Sequence, residues 1–250
     1  NEFILDARTR WTGDWQAFAS LVRSSQENID DVTFQVAIID REGMMIFSNL
    51  AKPSDRVDLS QREHFRVHKE APATDRLFIS RPVLGKVSKK WSIQLTRPIL
   101  KNGEFDGVLV VSVSPEQFAS FAGKLNASES GVMTLVRSSG EILARYPALE
   151  NSIGVVIKDR PFLLPNAPLT ASYKDSSPLD GKERVLGYAR LPEYGLSFVT
   201  GETLDAILLP YRSHRTMVLA GAIGVSLLAT VLFFLLYRSL TSFETARRQL

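Results

Sequence analysis

Residues 89–118 read KKWSIQLTRPILKNGEFDGVLVVSVSPEQF. In the first half Trp91, Ile93, Leu95 and Arg97 fall on one side of an extended chain, with Ser92, Gln94 and Thr96 on the other, the period of a β-strand. In the second half Val108, Val110, Ser112 and Ser114 share a face that turns polar towards its end. The segment KNGEFDG between them is rich in turn formers, so the two halves predict an antiparallel pair. Ser114-Pro115-Glu116-Gln117 then predicts a helix start, with Ser as N-cap, Pro in the first helical position and Gln at the third. That helix is expected to run to about Leu125.

Upstream the period is different. Phe3, Ala7, Trp11, Trp15, Phe18 and Val22 recur at steps of three and four, which predicts one long amphipathic helix over residues 1–29, weakened at Gly13. Its apolar stripe needs a partner, either the domain that follows or a second copy. From Asp31 the alternation Val32, Phe34, Val36, Ile38 predicts a strand. Asp40-Arg41-Glu42-Gly43 predicts a turn, and Met44 to Phe47 a returning strand. Residues 48–82 are polar and irregular, with a short helix expected over Ser60 to Lys69. Downstream the same grammar repeats. GVMTLVRSSGEILARY predicts a hairpin through Ser138-Ser139-Gly140, and Leu169 to Tyr173, ERVLGYARL and GLSFVTGE predict further strands. The fold class is therefore α+β: a long N-terminal helix, two antiparallel-sheet modules in series, then a very apolar helix.

That last helix is Thr216 to Tyr237, TMVLAGAIGVSLLATVLFFLLY, a run of 22 residues without a charge between Arg215 and Arg238. As a helix it would be about 33 Å long, enough to cross a hydrocarbon layer of roughly 30 Å. A soluble helix of this length keeps a polar face, and here only Thr216, Ser226, Thr230 and Tyr237 are polar. Thr203 to Ser213 links the second sheet to it, with a bend expected at Pro210. Arg212 and Arg215 precede the span and Arg238, Arg247 and Arg248 follow it. This small excess favours a cytoplasmic C-terminal side. The start NEFILDARTR lacks an initiator Met and the polar helix ETARRQL stops abruptly, so a segment of a longer protein is expected.

The composition, 44% hydrophobic and 23% charged in 250 residues, is that of a folded chain. A net charge of +3, with Lys and Arg spread among the acids, is no nucleic-acid footprint. The absence of cysteine excludes disulfides, thiol catalysis and Cys-based metal sites. His64 and His68 are four apart and would share a helix face, yet no third ligand is suitably spaced, so no metal site and no cofactor are expected. There is no Gly-x-Ser-x-Gly elbow and no phosphate-cradling Gly loop, so an enzyme ranks last among the readings.

Taken in order, these stretches resemble the double Cache sensor domains of bacterial membrane receptors, most closely the periplasmic inputs of diguanylate cyclases and sensor histidine kinases. DLSQREHFRVH (58–68) is similar to that family's Asp-x-Ser-x-Arg-x-aromatic-Phe segment. ISRPVLGKVSKKWSIQLTRPIL (79–100) followed by GEFDGVLVVSVSPEQF (103–118) is similar to its central strand pair and exit helix. GEILARYP (140–147), DGKERVLGYARLPEYGLSFVTGE (180–202) and the Ala-Ile-Leu-Leu helix at 206–209 come in the expected order. The resemblance implies a signalling helix at 1–30, a membrane-distal PAS-like module at 31–125, a membrane-proximal one at 126–205, a linker helix at 206–215, a span at 216–237 and an output helix from 238 to 250. It also implies a ligand pocket in the distal module, signalling as a homodimer, a location in the bacterial inner membrane with residues 1–215 periplasmic, and an output such as a cyclase, a kinase or a chemoreceptor domain.

In the amino-acid-binding members of that family the segment's Arg clamps the ligand carboxylate, neighbouring aromatics assist, and an Asp on the late distal strand holds the ligand amine. Arg62 matches the clamp, and guanidinium suits a carboxylate by its two-pronged geometry. His64 and Phe65 match the next positions, and Ser112 and Ser114 stand where relatives carry Asp. The expected ligand is thus a small carboxylate without an amine. Arg62, His64, Phe65, His68, Arg81, Trp91, Arg97 and Ser112 are the candidate ligand residues, with Lys86 and Lys90 bordering. Each has a plainer alternative: Arg62 or Arg97 paired with an acid, the histidines and Trp91 as packing, and the whole chain as an interaction module that binds no small molecule.

Overall fold

The structure is a computed structural model and describes residues 2–28, 33–71, 74–86, 89–124 and 130–247. Helices α1 (Glu2–Arg10) and α2 (Trp15–Asn28) lead into a first antiparallel sheet. Its strands are β1 (Thr33–Asp40), β2 (Met45–Ser48), β3 (Phe78–Ile79), β4 (Val83–Leu84), β5 (Trp91–Lys101) and β6 (Glu104–Val113), in the order β2-β1-β6-β5-β3 with β4 also on β5. A short helix α3 (Glu63–Lys69) lies between β2 and β3 in sequence, and α4 (Pro115–Lys124) follows β6. The second sheet has the order β8-β7-β11-β10-β9, from β7 (Val132–Arg137), β8 (Ile142–Tyr146), β9 (Thr170–Ser176), β10 (Glu183–Leu191) and β11 (Leu196–Thr203). A separate compact unit that begins at Thr203 contains the long helix α5 (Leu204–Arg247).

The single N-terminal helix expected from the apolar period is two helices. The chain breaks at Gly13, whose φ of +93° lies in the left-handed region that a side chain disfavours. The stripe nonetheless packs as one surface, on the first sheet. Ile4, Ala7, Phe18 and Val22 are buried with Val36, Ile38, Phe47, Ile99, Leu109 and Val111. Phe18 meets Phe47 edge-on at 4.8 Å between ring centroids, and Trp15 meets Phe47 at 5.1 Å. On the opposite face Ala37, Ile39, Met45, Val108 and Val110 bury against Phe65 of α3. Successive residues of β1 and β6 thus enter two different cores, which is why both strands are apolar almost throughout.

Asp40 turns β1 into β2 as expected: its Oδ1 accepts from the backbone N–H of Glu42, Gly43 and Met44 at 2.8–3.1 Å. The connection from β5 to β6 is tighter than the seven-residue loop the sequence favoured. Lys101 pairs with Glu104, leaving a two-residue turn of Asn102 and Gly103 with φ of +54° and +85°. Asn and Gly tolerate that conformation, and its twist matches the strands it joins. Ser114 caps α4, accepting from Glu116 N at 3.1 Å and Gln117 N at 3.4 Å. The expected end at Leu125 lies outside the described residues, as does the start of β1 at Asp31 and Val32. The two short strands β3 and β4 fall within or just beyond the segment read as irregular; at two residues each they carry no period to read.

Candidate functional site

The middle of the first sheet, on its α3 side, is polar. Register places Gln35 of β1 and Gln94 of β5 on either side of Ser112 of β6. All three are buried. Ser112 Oγ donates to Gln94 Oε1 at 2.7 Å, Gln94 Nε2 donates to Ser92 Oγ at 2.7 Å, and Gln35 Nε2 donates to Ser48 Oγ at 3.0 Å. Buried polar groups need partners, and this ladder supplies them across four strands while holding each amide in one orientation.

Above the ladder is a cavity of about 40 Å³. Gln35, Gln94 and Ser112 floor it, Ala37, Met45 and Val110 make its apolar part, and Arg62, His64, Leu84 and Lys86 stand around it. Arg62 sits at the N-cap of α3 in extended backbone, which lets its long side chain reach Leu84 O at 3.2 Å. Lys86 Nζ donates to Asp58 O at 2.6 Å, tying the loop after β4 to the segment before α3. His64 enters from the first turn of α3 and is only 5% exposed. Burial, reinforced by the charge of Arg62, pushes its imidazole down to about 4, so it is neutral at physiological pH. Its Nδ1 meets no hydrogen-bond partner among the described residues. Two cations, a neutral imidazole with an open nitrogen and two carboxamides therefore line the cavity, and none of its described lining residues is a carboxylate. The formal charge of that lining is therefore positive.

Of the residues the sequence put forward, Arg62, His64 and Ser112 meet at this cavity, with Lys86. Arg81 and Trp91 line an adjoining opening that they share with Arg62 and Leu84. Trp91 is 54% exposed there, and Arg81 approaches Glu63 at 3.9 Å. The other three are not at the cavity. Phe65 is fully buried in the core under α3, edge-on to Phe105 at 5.8 Å. His68 bonds Thr96 Oγ1 at 2.9 Å, one turn further along, and burial pushes it down to about 4 as well. Arg97 donates to Asp75 Oδ1 at 2.8 Å, which Arg8 of α1 also reaches at 2.7 Å. Hydrogen bonds from Arg8 and Arg97 hold the Asp75 carboxyl below the usual range, so this trio fastens α1 to the sheet.

Strand parity explains the placement of Arg97. Gln94 opposes Ser112, so the residues of β5 that share the cavity face are the even ones, and Arg97 must point to the helix-covered side. Gln35 and Gln94 were not singled out from sequence. The signal was present in the Ser92-Gln94-Thr96 face, but it identifies a site only once register sets it beside Ser112.

The sequence profile of the Cache domain family matches residues 6–210. Among curated proteins none matches. The extracellular domain assigned to the histidine kinase rpHK1S-Z16 is similar in structure, with 26% identity and a TM-score of 0.70 over 83% of this chain and 85% of that one. The ligand-binding domain of the Pseudomonas aeruginosa PAO1 amino-acid chemoreceptor PctB, in complex with L-Arg, has 16% identity and a TM-score of 0.62 over 86% and 83%. The sensor domain of the V. cholerae histidine kinase DctB has 13% identity and a TM-score of 0.52 over 80% and 83%. The last two establish the fold alone. With the family's profile matched from the first helix to the start of α5, and the polar cavity set in the first of two antiparallel sheets, the chain belongs to the Cache domain family of extracellular sensor regions.

Proposed function

We propose that the chain is the ligand-sensing input of a bacterial membrane receptor, and that the first-sheet cavity takes a small carboxylate lacking an amine. In this reading residues 1–215 are periplasmic, 216–237 cross the inner membrane, and 238–250 begin a cytoplasmic output helix. That output is a histidine kinase or a diguanylate cyclase, and the 26% likeness to the rpHK1S-Z16 extracellular domain supports the kinase. The observation that carries the ligand class is the lining itself: Arg62, Lys86 and the open Nδ1 of His64, with no carboxylate among the described lining residues to receive an amine. Ser112, bonded to Gln94, occupies the position where an acid would be needed for that.

The test is the melting temperature of the full chain in detergent micelles, with acetate, succinate, glycine and L-arginine added in turn at matched ionic strength. A carboxylate present at one hundred times its dissociation constant adds about 2.7 kcal/mol, several degrees for a unit of this size. Acetate or succinate is expected to give that shift, and the two amino acids none. Arg62→Ala is expected to weaken the effective anion by about tenfold or more, the value of a charge-assisted hydrogen bond. A shift from the amino acids alone, or one that Arg62→Ala leaves intact, overturns the assignment.

A further inference from the structure

The second sheet has a cavity of its own, about 60 Å³ in volume. Its floor is apolar, made by Val132, Val136, Ile142, Phe162 and Val199. Three arginines, Arg145 of β8, Arg184 of β10 and Arg160 from the loop before β9, line the rest with Tyr173. Arg184 and Arg145 are only 4% and 7% exposed. Two carboxylates serve these three cations. Asp180 takes both Nη atoms of Arg184, at 2.7 and 2.8 Å, and Nη2 of Arg145 at 3.1 Å, while Asp175 pairs with Arg160. The bidentate bond from Arg184 holds the Asp180 carboxyl far below its usual range, so it stays charged.

Charge and hydrogen bonding are both left incomplete. Among the described residues three guanidiniums against two carboxylates leave one positive charge in excess beside an apolar cavity, an arrangement that costs free energy unless an anion neutralises it. The buried Nε of all three arginines meets no acceptor among the described residues. Arg184 commits both terminal nitrogens to Asp180, Arg145 commits Nη2 to Asp180 and Arg160 commits Nη1 to Asp175, and on each the side edge of the guanidinium keeps an Nε–H without an acceptor among the described residues. That edge is the one that receives a carboxylate two-pronged. A water centre needs ~10–15 Å³ of such a cavity, so its volume suits a ligand of a few heavy atoms.

We propose that this second-sheet cavity is a further ligand site, for a small monocarboxylate whose carboxylate meets the arginine cluster and whose short alkyl end rests on the valine, isoleucine and phenylalanine floor. It lies on a different sheet from the cavity at Arg62 and shares no lining residue with it, so the chain has two anion sites. Propionate is the probe, titrated calorimetrically into the full chain in micelles, in chloride-free buffer, with Arg62→Gln present throughout to weaken the first cavity. Saturable binding is expected in that background. Adding Arg160→Gln should weaken it by about tenfold or more, and adding Asp175→Asn, which frees Arg160 while keeping its side-chain shape, should tighten it. No saturable binding in the Arg62→Gln chain overturns the proposal, as does binding that neither added substitution changes. Either result leaves the first cavity untouched, because that reading is tested by the Arg62-dependent shift with succinate or acetate.

Discussion

His64 and His68 are one helical turn apart and share an environment that rejects charge, although only His64 stands at the cavity. Both sit at about 4 when folded, against 6.5 for a free imidazole, with burial the main cause. The unfolded chain therefore binds more protons than the folded one between pH 6.5 and pH 4, and stability must fall as the pH is lowered through that window. The contribution is complete above pH 6.5 and lost by about pH 4, a few kcal/mol for the two together. Urea unfolding followed by tryptophan fluorescence should show this loss. His68→Gln, which keeps a donor for Thr96 Oγ1, should remove about half of the slope. An unchanged slope would mean that His68 ionises normally in the fold.

At the scale of elements, the first sheet depends on close approaches that only glycine allows. Gly107, where β6 crosses Asp40, has a φ of +153°, and a Cβ there would lie 2.3 Å from Ile39 O. The neighbour is backbone of β1 and has no rotamer to change. Gly107→Ala should cost about 2–4 kcal/mol and lower the melting temperature accordingly, whereas Gly13→Ala, with nothing within 4 Å of its Cβ, should cost about 1 kcal/mol from backbone strain alone. Phe47 is the other pivot. It touches Trp11, Trp15 and Phe18, so truncation to Ala should cost about 3–5 kcal/mol and loosen both N-terminal helices from the sheet. Hydrogen exchange in α1 and α2 measures that loosening directly. The helix stripe itself was plain in the sequence because its period is local. That its partner is the first sheet became visible only when Phe47 and Leu109 were placed under it.

For the whole molecule, α5 poses the question of cover. Its 35-residue apolar stretch Leu204–Arg238 has none of its most apolar window buried by the rest of the chain. Lipid on the outside and a second copy of the helix would together supply that cover. Ala220 and Gly224 lie four residues apart on one side, as do Ala222 and Ser226. Nothing lies within 4 Å of a Cβ at Gly224, so Leu fits there without strain in a single chain. Gly224→Leu should therefore leave the melting temperature of residues 2–202 unchanged while reducing cross-linked dimer in membranes. An undiminished dimer would place the helix contact elsewhere. In the chain β11 ends at Thr203 and α5 begins at Leu204, so no loop separates the strand from the long helix, and Pro210 sits inside that helix without ending it.

What the amino-acid sequence settled unaided was everything with a short period. Alternation gave away the longer strands of the first sheet, steps of three and four the N-terminal stripe, and uninterrupted apolarity the long helix α5. Turn chemistry placed Asp40 and Gly43, and capping chemistry placed Ser114. These signals are local, since each depends on residues within one turn or one hairpin. The candidate sites are not local. Arg62, Lys86, His64, Gln94 and Ser112 come together because β5 and β6 pair with Gln94 opposite Ser112 and because α3 lies over that pair. A shift of one residue in that register would set Ile93 or Leu95 opposite Ser112 in place of Gln94, since side chains alternate faces with a period of two. The arginine cluster of the second sheet is drawn from residues 145, 160 and 184, whose convergence depends on the order β8-β7-β11-β10-β9 and on the loop before β9. Strand register and sheet order are fixed by the sum of many packing contacts, and only the tertiary structure contains that sum.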